Sequence, residues 1–355
     1  MSKSRRAVRP FLASILAVGA IGLMSMAVAI GGSGEAEASS ADSLVYVKDG
    51  NVYIAQSDGT QARAITAGEN GWTWPSETDA GIIAVAGGLS RTDGTFNPSG
   101  GDQIYEFNQQ GEQVAGPLAT QATHSTVNDP EYVSHFRVAP DNSSIAWTDI
   151  SAFANPFTSW RNPDGSDTFS TANDADAAPL PYSSPEWWGP AHLLITHDGS
   201  AFPGQAEYSL YNLADGSSPG WANDEAIGNA SSFQLTVSRS GRKWAVMTDD
   251  GPDNDGTIQN IAITLETTSS PLPRTDVDDT HCTIKLAANQ FATNHGSSLA
   301  SMSFSSDEST LAWGQDDGIY EANVSNPKDC AAVTSSVHLV VPGGQMPFLS
   351  AAPLT

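Results

Sequence analysis

A pattern of twelve residues recurs along the chain and constrains the fold more than any other feature of the sequence. Residues 136–147 (FRVAPDNSSIAW) and residues 302–313 (MSFSSDESTLAW) share alternating apolar positions, a polar turn with Asp at the sixth place, and a final Ala-Trp. Residues 74–85 and residues 235–246 keep the alternation and the turn, the second with Ser in place of the Asp. Apolar alternation on both sides of a polar turn predicts a β-hairpin. Because one hairpin cannot bury its apolar face alone, its recurrence indicates a propeller or a solenoid.

The spacing of the copies predicts six structural units. A degenerate copy at residues 182–196 fits between the second and third clear copies, and a truncated copy lies at residues 348–353. Residues 44–66 have the pattern of three strands that lack a leading strand. The truncated copy would supply that missing strand. We therefore expect an all-β fold, namely a six-bladed β-propeller with four-stranded antiparallel blades, whose ring is closed by N-terminal strands pairing with the C-terminal strand.

Two segments also carry a family resemblance. Residues 45–66 (VYVKDGNVYIAQSDGTQARAIT) and residues 136–149 (FRVAPDNSSIAWTD) resemble the repeats of TolB-like six-bladed β-propellers of exported bacterial proteins. The resemblance extends over nearly all of residues 44–353 and implies the propeller fold. TolB proteins have an additional N-terminal domain for which this chain has no room, so the resemblance does not carry over their partner protein.

The N-terminal residues have the composition of an export signal. Basic residues from Lys3 to Arg9 precede an apolar run at residues 11–30, and Ala36-Glu37-Ala38 offers a small-x-small cleavage site. We expect residues 1–38 to be a signal peptide, residues 39–355 to be a single propeller domain, and the protein to be secreted or extracytoplasmic. The sequence leaves open an uncleaved membrane anchor and the choice between general secretory and twin-arginine export.

The two cysteines of the chain are Cys282 and Cys330. In an exported protein an isolated pair predicts a disulfide, and two unpaired buried thiols are the alternative. The bridge would join neighbouring blades.

The charge of the chain restricts its partners. The formal net charge is −25 at pH 7, which repels the phosphate backbone of nucleic acids and anionic lipid headgroups. We expect no nucleic-acid partner, no membrane contact except through an uncleaved anchor, and a monomer that binds a protein or an envelope glycan.

The loops and inserts of the predicted propeller contain several tryptophans. By the alternation of strand directions, six long loops lie on one face of the ring, which we expect to be the binding face; they are residues 87–102, 120–134, 150–180, 221–231, 249–257 and 289–299. Exposed aromatic side chains are typical of protein and sugar recognition. The alternative is that these side chains cover the core. The candidate binding residues are Trp72, Trp160, Trp187, Trp188 and Trp221.

One acidic loop is a candidate metal site. Residues 249–256 (DDGPDNDG) contain several carboxylates around glycine, a composition that suits Ca²⁺, with Asp249, Asp253 and Asp255 as the candidate ligands. Asp-rich segments also form ordinary turns. No cofactor is certain from the sequence, and Ca²⁺ is the one that it suggests.

No catalytic motif survives in its predicted structural context. The Gly-x-Ser-x-Gly pattern at residues 216–220 has Pro219 and Gly220 where a nucleophile elbow needs the start of a helix. We therefore predict a non-catalytic exported propeller that acts as a binding module. The alternative is a propeller hydrolase, either a metal-dependent lactonase-type enzyme or a glycosidase, with its site at the central channel.

Overall fold

The computed structural model describes residues 42–68, 71–87, 103–119, 132–150, 157–161, 168–170, 185–188, 193–199, 206–212, 220–223, 231–249, 261–267, 282–286 and 301–355. Residues 40–355 form one compact unit. Within the ranges above, no helix has the length and apolar character needed to span a membrane.

In these ranges the chain is almost entirely β-structure, with 24 strands and a single helix, α1 (Cys330–Ser335). The strands are β1 (Ser43–Lys48), β2 (Asn51–Gln56), β3 (Arg63–Ala64), β4 (Thr73–Glu77), β5 (Ile82–Gly87), β6 (Gln103–Asn108), β7 (Gln113–Ala119), β8 (Tyr132–Val138), β9 (Ile145–Ile150), β10 (Phe157–Arg161), β11 (Thr168–Ser170), β12 (Glu186–Trp188), β13 (Leu193–Gly199), β14 (Ala206–Asn212), β15 (Gly220–Asn223), β16 (Ser231–Val237), β17 (Lys243–Asp249), β18 (Ala262–Thr267), β19 (Cys282–Lys285), β20 (Met302–Phe304), β21 (Thr310–Gln315), β22 (Gly318–Asn323), β23 (His338–Pro342) and β24 (Gln345–Ser350).

The described strands form six antiparallel sheets of four strands each. Sheet 1 has the order β24-β1-β2-β3, so it combines the last strand with the first three. Sheets 2 to 6 are successive meanders: β4 to β7, β8 to β11, β12 to β15, β16 to β19 and β20 to β23. The predicted all-β class with four-stranded antiparallel units is confirmed.

Each clear copy of the sequence pattern forms the first hairpin of a sheet. In the copy at residues 136–147, Ala139 N donates to Ser144 O (2.8 Å) and Asn142 N donates to Ala139 O (2.9 Å). The residue that closes the turn has a left-handed backbone, which Gly and Asn adopt at little cost. These residues are Gly81 (φ 80°), Asn142 (φ 61°), Gly241 (φ 68°) and Glu308 (φ 61°).

The copy at residues 74–85 is displaced by one residue. The register between β4 and β5 shifts between Thr73 and Ser76, and the register between β8 and β9 shifts at the equivalent place, between Ser134 and Arg137, so both copies contain this β-bulge. Because Gly81 closes this turn as Asn142 closes the other, Asp79 lies level with Pro140 and not with the Asp of the pattern. The copy therefore begins one residue later than predicted, because its turn is one residue shorter: Thr78 N donates to Ile82 O, whereas Ala139 N donates to Ser144 O, one residue further along the chain.

The apolar core lies between the sheets. The tryptophans that the repeat places in its hairpins are fully buried; they are Trp74, Trp147, Trp244 and Trp313. The first strands of the sheets pack side by side: β24 against β4, β4 against β8, β8 against β12, β12 against β16, β16 against β20, and β20 against β24.

The predicted disulfide is confirmed. Cys282 in β19 of sheet 5 is bonded to Cys330, which begins α1 in the connection between β22 and β23 of sheet 6. The bridge therefore links two neighbouring sheets covalently. The two cysteines are 48 residues apart in the sequence. In the chain-entropy model, a disulfide that closes a loop of that length contributes roughly 4 kcal/mol to stability.

Candidate functional site

A small cavity lies where the six first strands converge, and we call it the central cavity. Its volume is about 60 Å³, which is room for a few water molecules. Every sheet contributes to its lining. One lining residue from each of sheets 1 to 6, in that order, is Ser350, Glu77, Val138, Glu186, Thr236 and Ser303.

One wall of the central cavity contains a buried ion pair, and we call it the far wall. Arg137 of β8 is 2% exposed, and its Nε lies 3.5 Å from Oε2 of Glu186 of β12. The guanidinium also donates from Nη2 to Ser301 Oγ (3.0 Å) and from Nη1 to Phe136 O (3.1 Å). Its Cζ lies 5.4 Å from the ring centroid of Phe348. These contacts satisfy the guanidinium and fix its position.

Hydrogen bonds from neighbouring side chains also fix the positions of Glu186 and Arg137. Thr236 Oγ1 donates to Glu186 Oε2 across 3.4 Å, and the indole Nε1 of Trp187 donates to Arg137 O (3.1 Å). Burial raises the pKa of Glu186 above its usual range, while Arg137 and the hydrogen bonds oppose that rise.

A second buried carboxylate lies where sheets 1 and 2 meet, on what we call the seam wall. Glu77 at the end of β4 is 2% exposed. It accepts hydrogen bonds from the Ser43 hydroxyl and from Gln109 Nε2 (2.8 Å). Burial raises the pKa of Glu77 to about 7, although its hydrogen bonds and Arg63 lower it. This group therefore titrates near neutral pH.

The seam wall ties the two ends of the described chain together. Ser43 belongs to β1, and Ser350 of β24 donates from Oγ to Thr78 O (3.3 Å), beside Glu77. Gln109 Nε2 also donates to Pro353 O (3.1 Å). Glu77 consequently lies at the centre of a hydrogen-bond network that connects sheets 1 and 2.

The exposed rim of the cavity carries an ion pair between Asp79 and Arg239, which we call the mouth pair. Both residues line the cavity, and their side chains are 43% and 42% exposed. Asp79 lies in the turn after β4 and Arg239 in the turn after β16, so the pair joins sheets 2 and 5.

The structure buries four of the five tryptophans that the sequence suggested for binding. Trp72 is 4% exposed and meets the rings of Tyr105 and Phe107 edge-on. Trp160 lies in β10, and Trp187 and Trp188 lie in β12 rather than in loops; their exposures are 5%, 6% and 7%.

Local packing explains why these side chains are covered. Trp188 lies over Gly241, where an added Cβ would come within 2.1 Å of its ring. Of the two alternatives, the structure therefore agrees with the one in which Trp72, Trp160, Trp187 and Trp188 cover the core. Trp221 lies in β15, and its side chain is outside the described part of the structure. A role in binding stays a prediction for all five.

The candidate Ca²⁺ site falls mostly outside the described residues. Asp249 ends β17, whereas Asp253 and Asp255 lie beyond it in the undescribed range 250–260. Across the described ranges no three His, Cys, Asp or Glu side chains are grouped to hold a metal ion. The Ca²⁺ site stays a prediction.

The sequence analysis did not single out the charged residues of the central cavity. These residues could have been found from the sequence, because each is a charged residue in a first strand whose other residues are mostly small or apolar. Arg137 takes the second place of its copy, where the other copies have Thr236 and Ser303. Glu77 interrupts the copy at residues 74–85 in the same way.

Comparison with known proteins identifies the fold but not a sequence family. No protein-family model matches the chain, and no curated protein matches it. The structure of TolB from Acinetobacter baumannii is similar over 88% of this chain and 67% of that one, with a TM-score of 0.54 and 14% identity. This likeness shows that the chain has a TolB-like β-propeller fold, which confirms the resemblance seen in the sequence.

Two further structures are similar at lower scores. A putative TolB from Agrobacterium tumefaciens matches 88% of this chain and 92% of its own length, with a TM-score of 0.48 and 10% identity. A prolyl endopeptidase matches 76% of this chain and 36% of its own length, with a TM-score of 0.43 and 12% identity.

Proposed function

We propose that this chain is an exported, non-catalytic six-bladed β-propeller that binds a protein or a glycan of the cell envelope. It would act as a monomer in the periplasm, at the cell envelope or outside the cell. One observation carries the proposal. The central cavity is too small for an organic substrate, and its three carboxylates, Glu77, Asp79 and Glu186, are all engaged by groups of the protein itself. The outer surface of the ring is then the part of the molecule that would bind a protein or a glycan.

The proposed closed ring rests on three observations. β24 pairs with β1, so sheet 1 draws strands from distant parts of the chain. The first strands pack in a cycle that returns to its start, and the central cavity is lined by all six sheets. Such closure would leave no interior sheet edge open to another chain.

The proposed export rests on the N-terminal sequence and on the disulfide. Residues 1–38 have the basic, apolar and small-residue segments of a signal peptide. The Cys282–Cys330 bridge suits an oxidising compartment. Sequencing the N-terminus of the secreted protein would test the cleavage, and a first residue near Ser39 is expected.

The face that carries the connections between the second and third strands of the sheets is the proposed binding surface. The connection from β9 to β10 (residues 151–156) belongs to that face, and the connection from β10 to β11 (residues 162–167) belongs to the opposite face, because they lie at the two ends of β10. They have equal lengths and therefore form a matched pair for an experiment.

A capture experiment tests the proposal. Residues 39–355 are immobilised, and envelope extract and culture fluid of the producing organism are passed over them. We expect a protein or glycan that is retained by the parent and by a variant with residues 162–167 replaced by Gly and Ser. A variant with residues 151–156 replaced likewise should lose it. Equal retention by both variants would contradict the proposed face, and no retention by the parent would contradict binding.

The hydrolase alternative has one observation in its favour. Glu77 and Glu186 line the same cavity, and the pKa of Glu77 is raised to about 7, which suits a general acid. Hydrolysis of model lactones or aryl glycosides that disappears in Glu77→Gln and Glu186→Gln would support this alternative. A folded protein without such activity would leave the binding module as the function.

A further inference from the structure

The mouth pair crosses the central cavity rather than following its circumference. Asp79 projects from sheet 2 and Arg239 from sheet 5. In one direction the first strands β8 and β12 lie between these sheets, and in the other direction β20 and β24 do. The two side chains therefore meet from opposite sides.

The backbones that carry the pair are anchored to their neighbours. Asp79 N donates to Pro140 O of sheet 3 (2.8 Å). Beside Arg239, Ser240 donates from N and Oγ to the carboxylate of Glu308 of sheet 6 (2.6 and 3.0 Å). The side chains can consequently part by rotamer changes alone, while both turns stay in place.

The pair separates solvent from buried polar groups. Asp79 and Arg239 are roughly two-fifths exposed, whereas Glu77, Glu186 and Thr236, which line the same cavity, are 2%, 7% and 1% exposed. The ion pair thus lies at the boundary between water and the cavity.

We propose that the mouth pair is a gate that controls the access of small solutes to the central cavity. With the pair formed the mouth of the cavity is narrow, and with the pair parted it is wide. Because an exposed ion pair is weak, removing it should raise the open population by roughly two- to five-fold. Salt screens exposed charges, so high ionic strength should open the same gate.

A single reporter thiol tests the gate directly. Both native cysteines are in the disulfide, so Thr236→Cys would provide the one free thiol of the chain. The rate of its reaction with methyl methanethiosulfonate, a small neutral reagent, is measured in the full chain and divided by the rate for free N-acetylcysteine.

The labelling rate is compared in the parent and in three further variants, which separate the gate from other effects. We expect Arg239→Gln to raise the labelling rate roughly two- to five-fold and to abolish its increase with salt. Exchange of the two charges, Asp79→Arg with Arg239→Asp, should restore the parent rate and its salt dependence. Arg242→Gln, in the same turn but outside the cavity lining, should leave both unchanged.

Equal labelling rates in the parent and in Arg239→Gln would overturn the gate, as would labelling that is as slow as global unfolding in every background. Ser303→Cys, on another wall of the cavity, is the second reporter if Thr236→Cys does not fold. The gate requires the same rank order of rates at both positions.

Discussion

The far wall and the seam wall of the central cavity bury a carboxylate to a similar degree but stabilise it differently. On the far wall, Glu186 faces the guanidinium of Arg137. On the seam wall, Glu77 accepts hydrogen bonds from the neutral groups of Ser43 and Gln109.

The difference determines how each wall responds to a perturbation. If Arg137 is removed, Glu186 is left as an acid with no buried cation beside it, which is a large penalty at neutral pH. Glu77 has no buried cation to lose, and its penalty depends on pH and vanishes in acid, where it takes up a proton. Burial raises the pKa of both acids, so both walls respond to pH, but only the far wall also depends on a buried cation.

The largest expected effect is on the far wall. Arg137→Met should lower the free energy of unfolding at pH 7 by about 3–5 kcal/mol, because it leaves Glu186 without its cation. Urea unfolding of both proteins measures the difference.

The double variant Arg137→Met with Glu186→Leu should recover most of that loss, since it removes both members of the pair. Arg242→Gln is the control for loss of an exposed arginine and should change stability by less than about 0.5 kcal/mol. A loss below about 1 kcal/mol in Arg137→Met would contradict the assigned ion pair.

The next effect is the pH dependence of the seam wall. The pKa of Glu77 is raised from 4.5 to about 7 in the folded protein, so the fold favours the protonated acid. The stability that protonation provides is complete below about pH 4.5 and is lost as the pH rises to about 7. The loss amounts to roughly 3 kcal/mol.

Glu77→Gln should remove this pH dependence. Its amide oxygen can accept from Gln109 and its amide nitrogen can donate to Ser43, so we expect it to match the parent at pH 4.5. At pH 8 it should be more stable than the parent by about 3 kcal/mol. Comparing the two proteins cancels the titration of other buried acids such as Glu321, whose pKa burial raises to about 8. A constant difference between pH 4.5 and pH 8 would show that Glu77 does not titrate as proposed.

The smallest effect concerns one hydrogen bond on the seam wall. Ser43→Ala removes a hydroxyl that lowers the pKa of Glu77. Above pH 7 it should cost about 1 kcal/mol and move the titration of Glu77 upward. The pH titration of stability is compared in Ser43→Ala with and without Glu77→Gln. Thr60→Ala, in an exposed turn, should leave the midpoint where it is, and an unmoved midpoint in Ser43→Ala would remove Ser43 from the network.

The fold could be predicted because its signals are local. The alternation around residues 136–147 specifies a hairpin, and the leading strand missing before residues 44–66 points to the copy at residues 348–353. The strand that pairs there is β24 (Gln345–Ser350), which begins three residues earlier. The bulge at Trp74 could not be predicted, because one inserted residue leaves the apolar pattern almost unchanged.

The site could not be predicted in the same way. Glu77, Arg137 and Glu186 meet across separations of 49 to 109 residues, and their convergence depends on how the sheets pack. The strand positions of the tryptophans could not be predicted for a related reason. Trp160 and Trp187 follow stretches rich in Pro and polar residues, which look like loops, although each belongs to a short buried strand.

The most direct test of the account is a cross-link between β1 and β24, on which the closed ring depends. Ser43 and Ser350 are partners in the register, and both are small and buried. In Ser43→Cys/Ser350→Cys we predict a second disulfide in the native protein, seen by mass spectrometry as no free thiols. Lys48→Cys/Ser350→Cys, whose positions are not paired, should keep two free thiols. If Ser43→Cys/Ser350→Cys also kept two free thiols in the folded protein, β24 would not complete sheet 1 and the proposed ring would be open.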